Sequence, residues 1–132
     1  MVTRRTVLVI DDDAEVRALV SALLKRSGYD VLEAADGREG IDRAVELHPD
    51  LVLLDMAMPN LDGFSVARAL RGIEALTKTP VVALTARHLP SDRQRALDAG
   101  CSHFLTKPCP PADLRAAIAG ILGEEPALAL LS

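Results

Sequence analysis

The amino-acid sequence predicts an α/β protein with a single doubly wound, five-stranded parallel sheet and five helices. Two observations support this prediction. Short apolar segments alternate five times with segments of helical periodicity. The segments at 7–10, 51–54 and 81–84 contain only apolar residues, which is typical of strands that are buried on both faces. This alternation favours a parallel sheet that is covered by helices on both sides.

In the first half of the chain, the elements follow from apolar spacing and from stop signals. The strand at 7–10 leads into Asp11. Apolar residues then recur at intervals of three and four residues from Val16 to Leu24, as on one face of a helix, and Gly28 follows as a stop signal. The same reasoning predicts a strand at 31–34, a helix at 37–47 that is ended by Pro49, and a strand at 51–54 that leads into Asp55.

The second half continues the alternation. A loop at 58–63 contains proline, asparagine, aspartate and glycine, which favour turns. After it we predict helices at 64–70, 91–99 and 111–122, and strands at 81–84 and 104–106. We therefore expect one domain over residues 1–123, with 124–132 as a C-terminal tail or linker stub.

Composition limits the classes of function. The 132 residues carry a net charge of −4, which argues against direct binding of nucleic acid. The sequence has no run of 18 apolar residues and no signal peptide, so we expect no membrane segment and a cytoplasmic location. Cys101 and Cys109 flank the last predicted strand, too far apart for a disulfide, so we expect free thiols.

Polar side chains gather where the predicted strands end. Asp11 and Asp12 follow the first strand, Asp55 the third, Thr85 the fourth and Lys107 the fifth. Right-handed crossovers place these ends at one edge of a parallel sheet, where ligands bind. Taken singly, each residue has an ordinary role, such as a helix cap, a strand end or a solvated lysine. Their shared position in successive βα units favours one functional cluster.

The residue types in this cluster suit phosphoryl chemistry. Neighbouring carboxylates repel one another, so three of them together point to a cation. Oxygen ligands of this kind suit Mg²⁺, with Asp12, Asp55 and a backbone carbonyl as ligands. A carboxylate can accept a phosphoryl group as an acyl phosphate. Lys107 would supply positive charge, and the Thr85 hydroxyl would donate to a phosphoryl oxygen.

The sequence also resembles the receiver domains of bacterial two-component response regulators. The matching segments are VLVIDDD, LVLLDMAMPNLDG, VVALTA and FLTKP, in the order and spacing of that family. The resemblance covers about residues 6–122. It implies a flavodoxin-like fold with strand order 2-1-3-4-5, and a signalling switch that receives a phosphoryl group from a histidine kinase or histidine phosphotransfer protein. The switch would signal through the face formed by the fourth helix, fifth strand and fifth helix.

The resemblance implies a role for each matching residue. Asp55 is the phosphoacceptor, and Asp11 and Asp12 form the acidic pocket. Mg²⁺, or alternatively Mn²⁺, is held by Asp12, Asp55 and the Ala57 carbonyl, with Asp11 acting through water. Thr85, Lys107 and Phe104 would bind the phosphoryl group and take part in the switch. Ala57 and Arg87 would tune dephosphorylation. The resemblance also implies a cis peptide bond before Pro108.

Several alternatives stay open. The chain is either a single-domain regulator or a receiver that belongs to a larger protein, namely a hybrid histidine kinase or a multidomain regulator. In either case it would act on a downstream protein partner or output domain, which the sequence does not identify. We expect no enzyme activity beyond self-phosphorylation and dephosphorylation. A phosphatase of the haloacid dehalogenase kind is a remote alternative, because its nucleophile ends the first strand in an Asp-x-Asp motif, whereas this chain reads Asp11-Asp12-Asp13 there. A degenerate receiver that only binds partners is disfavoured by the intact set of site residues.

Overall fold

The structure, a computed structural model, describes residues 4–59, 61–86 and 89–123. Strands and helices alternate along this part of the chain. The strands are β1 (Thr6–Ile10), β2 (Asp30–Ala34), β3 (Leu51–Asp55), β4 (Val81–Thr85) and β5 (His103–Thr106). The helices are α1 (Ala14–Arg26), α2 (Gly37–Leu47), α3 (Gly63–Arg71), α4 (Pro90–Asp98) and α5 (Pro111–Ile121).

The strands form one parallel sheet in the order β2-β1-β3-β4-β5. β1 lies between β2 and β3, with Val7 opposite Val31 on one side and Leu51 on the other. Because the strand order reverses direction at β1, the crossover helices fall on both faces of the sheet. The predicted fold class and strand order are confirmed.

Two apolar clusters lie on opposite faces of the sheet. Successive side chains of a strand point to opposite sides, so Leu8 and Ile10 enter one cluster while Val7 and Val9 enter the other. Buried residues of α2, α3 and α4 complete the first cluster, and those of α1 and α5 complete the second. The sheet is therefore covered on both faces and is accessible mainly at its edges.

Aspartate side chains begin three of the helices. Asp13, Asp36 and Asp62 accept hydrogen bonds from backbone amides in the first turns of α1, α2 and α3. Gly28 has a φ of +99°, which suits the left-handed backbone after α1.

The structure differs from the predicted elements in small ways. The ends of β1 to β5 and of α2 to α5 lie within one residue of their predicted positions. A 3-10 helix at Glu74–Leu76 was not predicted, because three residues are too few for a periodic signal. Cys101 and Cys109 are free, and the Lys107–Pro108 peptide bond is cis, both as expected. The predicted tail at 124–132 lies outside the described residues.

None of the helices described here has the length and apolar character needed to cross a membrane.

Candidate functional site

The predicted site residues meet at one edge of the sheet. Asp55 and Thr85 are the last residues of the adjacent strands β3 and β4, and Asp11 and Lys107 each lie one residue beyond a strand. Since parallel strands end at the same edge, residues far apart in the sequence become neighbours there.

Three carboxylates form the centre of this edge. One carboxylate oxygen from each of Asp11, Asp12 and Asp55 lies within 4.8 Å of the other two. Asp11 is 3% exposed and Asp55 is 5% exposed, whereas Asp12 faces solvent. The donors are all carboxylate oxygens, and Mg²⁺ is commonly held by one or two such groups together with water. The residues present therefore fit the predicted Mg²⁺ site.

Lys107 brings a positive charge into the carboxylate cluster. Its Nζ atom lies 3.4 Å from Asp11 Oδ2 and 3.5 Å from Asp55 Oδ1. Its backbone amide donates to the Thr85 carbonyl at 2.7 Å, which ties the residue after β5 to the end of β4. One ammonium group faces three carboxylates, so the cluster keeps an excess of negative charge when all three are ionised.

The environment of Asp55 opposes its ionisation. Burial is the main cause that raises the pKa of Asp55, and the Asp11 carboxylate adds to this effect. A hydrogen bond of 3.1 Å from the Ala57 amide to Asp55 Oδ1 acts against it, as does the charge of Lys107. Since a bound cation would favour the ionised carboxylate, this environment suits a residue that works beside a metal ion.

Asp11 is held through each of its polar groups. Its Oδ1 accepts from the Asp13 amide at 2.9 Å, and its backbone amide donates to the Ala34 carbonyl at 3.1 Å. Its carbonyl oxygen accepts from Arg17 Nη1 at 2.7 Å. We did not predict this contact with Arg17. An arginine four residues into a helix, where the dipole disfavours cations, is the only signal for it in the sequence.

The loop after Asp55 passes close to the start of α3. The Gly63 amide donates to the Met56 carbonyl at 3.3 Å. A Cβ atom built on Gly63 would lie 2.5 Å from Met56 Cα and 2.9 Å from the Asp55 carbonyl oxygen. Glycine is therefore needed here for close approach of two backbone segments, a reason that the sequence did not reveal.

Thr85 and Phe104 border a small cavity beside the site. The cavity has a volume of about 50 Å³ and is also lined by Met56, Phe64 and Asp92. Thr85 is 3% exposed, and Phe104 is half-buried against the apolar cluster that contains Phe64. The cavity offers space between the end of β4 and the aromatic side chain of β5.

Of the two residues predicted to tune dephosphorylation, the structure describes Ala57. Ala57 is exposed beside Asp55, and its methyl group presents no polar atom to that side of the site. Arg87 lies outside the described residues.

Comparisons with known proteins agree with this architecture. The family model for the response regulator receiver domain matches residues 7–119. Among curated proteins, the chain is 40% identical over 116 residues to the "DNA-binding dual master transcriptional regulator RpaA" of Synechocystis, covering 88% of this chain and 48% of that protein. The chain spans about half the length of the first curated relatives that it matches.

Solved structures show the same fold. The chemotaxis protein CheY4 of Vibrio cholerae has a TM-score of 0.87 and 32% identity, with 90% of this chain and 99% of that chain covered. The receiver domain of the Pseudomonas aeruginosa sensor histidine kinase PA1611, described with a magnesium ion coordinated in its active-site cleft, has a TM-score of 0.85 and 32% identity, with 92% and 100% covered.

These likenesses extend over most of the chain, and they include the strand ends at which the carboxylates, threonine and lysine meet. The resemblance stated from the sequence motifs is thus confirmed. The chain belongs to the response regulator receiver domain family.

Proposed function

We propose that this chain is a phosphorylation-dependent signalling switch in which Asp55 receives a phosphoryl group from a histidine kinase or histidine phosphotransfer protein. The observation that carries the proposal is the placement of Asp55. Its carboxylate lies at the sheet edge, within 4.8 Å of oxygens of Asp11 and Asp12 and 3.5 Å from Lys107 Nζ. The Asp55 carboxylate thereby lies beside both the candidate cation site and an ammonium group.

Asp12, Asp55 and the Ala57 carbonyl would hold Mg²⁺, with Asp11 acting through water, and Mn²⁺ is an alternative ion. Bound there, the ion would neutralise charge on the phosphoryl oxygens. Asp12 is the exposed member of the cluster, which suits a ligand that the ion meets on entering from solvent.

The protein's own residues carry the transfer step. A carboxylate oxygen of Asp55 attacks the phosphorus of phosphohistidine, the P–O bond forms as the P–N bond breaks, and the electron pair of the P–N bond stays on the imidazole. Lys107 and the Thr85 hydroxyl then bind oxygens of the transferred group. Such transfer needs little beyond positioning and charge neutralisation, which this cluster is suited to supply.

An apolar groove beside the site suits docking of the phosphodonor protein. The groove has a volume of about 620 Å³, and Lys107 of the site lies on its wall. Leu19 and Leu23 of α1 line it together with Pro108 and Cys109, and Leu19 is 72% exposed. A helix of the donor that packed here would bring its phosphohistidine next to Asp55.

The face formed by α4, β5 and α5 is the proposed output surface. When Thr85 is drawn toward phosphoryl oxygens it would vacate further space beside the small cavity that it shares with Phe104, and the aromatic ring would turn inward to fill it. A second groove, of about 350 Å³, is lined by Phe104 together with Leu97 and Ala116. Movement of Phe104 would therefore change the shape of a surface available to a partner.

The wider role of the protein belongs to the same proposal. Relatives of about twice the matched length carry the names of DNA-binding or transcriptional regulators, which qualifies the expectation of no nucleic-acid contact. We assign any DNA binding to a segment other than this domain. A receiver from a hybrid kinase is a second form of the proposal, favoured by the likeness to the PA1611 receiver domain. The cytoplasmic location, and catalysis limited to self-phosphorylation and dephosphorylation, stay predictions.

Incubation with acetyl phosphate and Mg²⁺ tests the proposal through the intact mass. We expect wild-type protein to gain one phosphoryl group and Asp55→Asn to gain none. Asp42→Asn, which removes an exposed carboxylate from α2, is the matched control and should be phosphorylated like wild type. Full modification of Asp55→Asn would overturn the assignment, and sustained turnover of a generic phosphomonoester would favour the phosphatase alternative.

A further inference from the structure

Arg17 links the acidic pocket to the neighbouring edge strand. Its Nη1 atom donates to the Asp11 carbonyl oxygen at 2.7 Å, and its Nε atom donates to Glu33 Oε1 on β2 at 3.1 Å. The Arg17 side chain is only 18% exposed, whereas that of Glu33 is 39% exposed. A planar guanidinium group can hold both partners at once because its donors have a fixed geometry.

The Asp11 carbonyl has a particular need for a donor. Asp11 lies one residue beyond β1, where the regular pairing of the strand stops, and the residue is 3% exposed. A buried carbonyl without a hydrogen bond is unfavourable, so the backbone would turn toward another donor or toward water. Arg17 satisfies this carbonyl and so fixes the peptide plane that joins Asp11 to Asp12.

Arg17 occupies a position in α1 that is unfavourable for a positive charge, so its side-chain contacts rather than the helix account for its presence there. It is the fourth residue of α1, near the helix end at which the dipole disfavours a positive charge. Glu33 compensates the charge and orients the guanidinium group. Asp11 follows the last residue of β1 and Glu33 lies on the adjacent strand β2, so Arg17 joins the turn after β1 to the neighbouring strand.

We propose that Arg17 is a positioning residue for the acidic pocket, which holds the turn between β1 and α1 so that the carboxylates of Asp11 and Asp12 converge on Asp55. This inference rests on the proposed Mg²⁺-dependent function of the cluster. Arg17 acts through the backbone of Asp11, since its contacts are with that carbonyl and with Glu33.

Charge and geometry make opposite predictions for this residue. Removal of a nearby positive charge should by itself strengthen cation binding to the pocket. Loss of the carbonyl contact should weaken binding, because the turn that carries two of the three carboxylates is released. A role limited to folding would lower the melting temperature and leave Mg²⁺ affinity unchanged in the folded protein.

The test is a titration of the folded protein with Mg²⁺ alone, at a temperature well below unfolding. Amide chemical shifts in NMR spectra monitor the binding and give the affinity. We expect Arg17→Met to weaken Mg²⁺ affinity by about tenfold, the lower end of the effect of losing outer contacts around a metal site. Arg17→Lys keeps the charge but not the two-donor geometry, so it should restore only part of the affinity. Arg68→Met, which removes an exposed arginine from α3, is the matched control, with affinity close to wild type.

Affinity in Arg17→Met that equals or exceeds the wild-type value would overturn the positioning role. If Arg17→Met does not fold, a wild-type affinity in Arg17→Lys would overturn it in the same way. The proposed function has a separate test in the same experiment. If wild-type protein fails to bind Mg²⁺, or binds it no better than Asp12→Ala, the metal site itself is wrong.

Discussion

The substitution Asp55→Asn should make the protein more stable at neutral pH in the absence of divalent cations. Asparagine has nearly the shape of aspartate, and its carbonyl oxygen can still accept from the Ala57 amide. The substitution removes a negative charge that is 5% exposed and lies beside the carboxylates of Asp11 and Asp12. Burial also raises the pKa of Asp55, because loss of solvent contact disfavours the ionised form.

The distances allow an estimate of the gain. Taken at the 4.8 Å limit of the oxygen–oxygen separations and at an effective dielectric constant of about 20, two carboxylates repel by about 3.5 kcal/mol, so Asp11 and Asp12 together oppose the Asp55 charge by about 7 kcal/mol. Lys107, at 3.5 Å, offsets about 5 kcal/mol. The net unfavourable energy of the Asp55 charge is thus about 2 kcal/mol. Solvent screening of the exposed Asp12 lowers this energy, whereas desolvation of Asp55 raises it. We therefore expect a gain of about 2 kcal/mol, or about 8 °C in melting temperature for a domain of this size.

The pH dependence provides a second measurement. Because the pKa of Asp55 in the folded protein lies above its usual value of 3.8, the folded state binds this proton more tightly than the unfolded chain does. The favourable contribution of protonated Asp55 is complete below pH 3.8 and is lost as the pH rises through the folded-state pKa. The advantage of Asp55→Asn should therefore be largest at neutral pH and should shrink on acidification.

Urea unfolding in EDTA at low ionic strength, repeated with saturating Mg²⁺, is the assay. Mg²⁺ should stabilise wild-type protein more than Asp55→Asn and so reduce the difference between them. The exposed Asp42→Asn change on α2 should leave stability nearly unaltered and controls for the loss of one charge. An Asp55→Asn protein that is no more stable than wild type at pH 7 without Mg²⁺ would refute the electrostatic reasoning.

Two further predictions concern the surroundings of Asp55. In Thr85→Ala, beryllofluoride, which stands in for the phosphoryl group, should still bind. The amide NMR shifts that it causes in α4 and at Phe104 should shrink, because no hydroxyl is drawn toward the anion. An unchanged pattern of these distant shifts would exclude this switch. Gly63→Ala should lower the free energy of unfolding by about 1–3 kcal/mol in a urea titration, since its Cβ would lie 2.5 Å from Met56 Cα. Gly72→Ala, whose Cβ would meet the nearest atom at 3.5 Å, is the control, and equal losses in the two variants would contradict the overlap.

Much of the candidate site was predictable from residue order. Fully apolar strands such as 51–54 indicate a parallel sheet, and a parallel sheet places the residues after its strands at one edge. Asp11, Asp55 and Lys107 could therefore be grouped without knowledge of any distance. The motifs around them then indicated the family and, through it, the strand order.

Other features arise only from the folded chain. Periodicity and turn signals describe neighbours in sequence, whereas the cavity between Thr85 and Phe104 joins residues of different strands and helices. The need for glycine at position 63 is of the same kind, because the atoms that exclude a side chain belong to Met56 and Asp55.

Residue order alone specifies which residues end each strand, and with them the chemical groups of the site. How those groups are held depends on the folded chain: Lys107 bridges Asp11 and Asp55, and Arg17 donates to the Asp11 carbonyl. The physical reason is that hydrogen bonds, burial and charge interactions depend on separations of a few ångströms between side chains up to 96 positions apart in the chain. Local sequence patterns can group such residues at one edge of a sheet, but they do not specify the distances between their atoms.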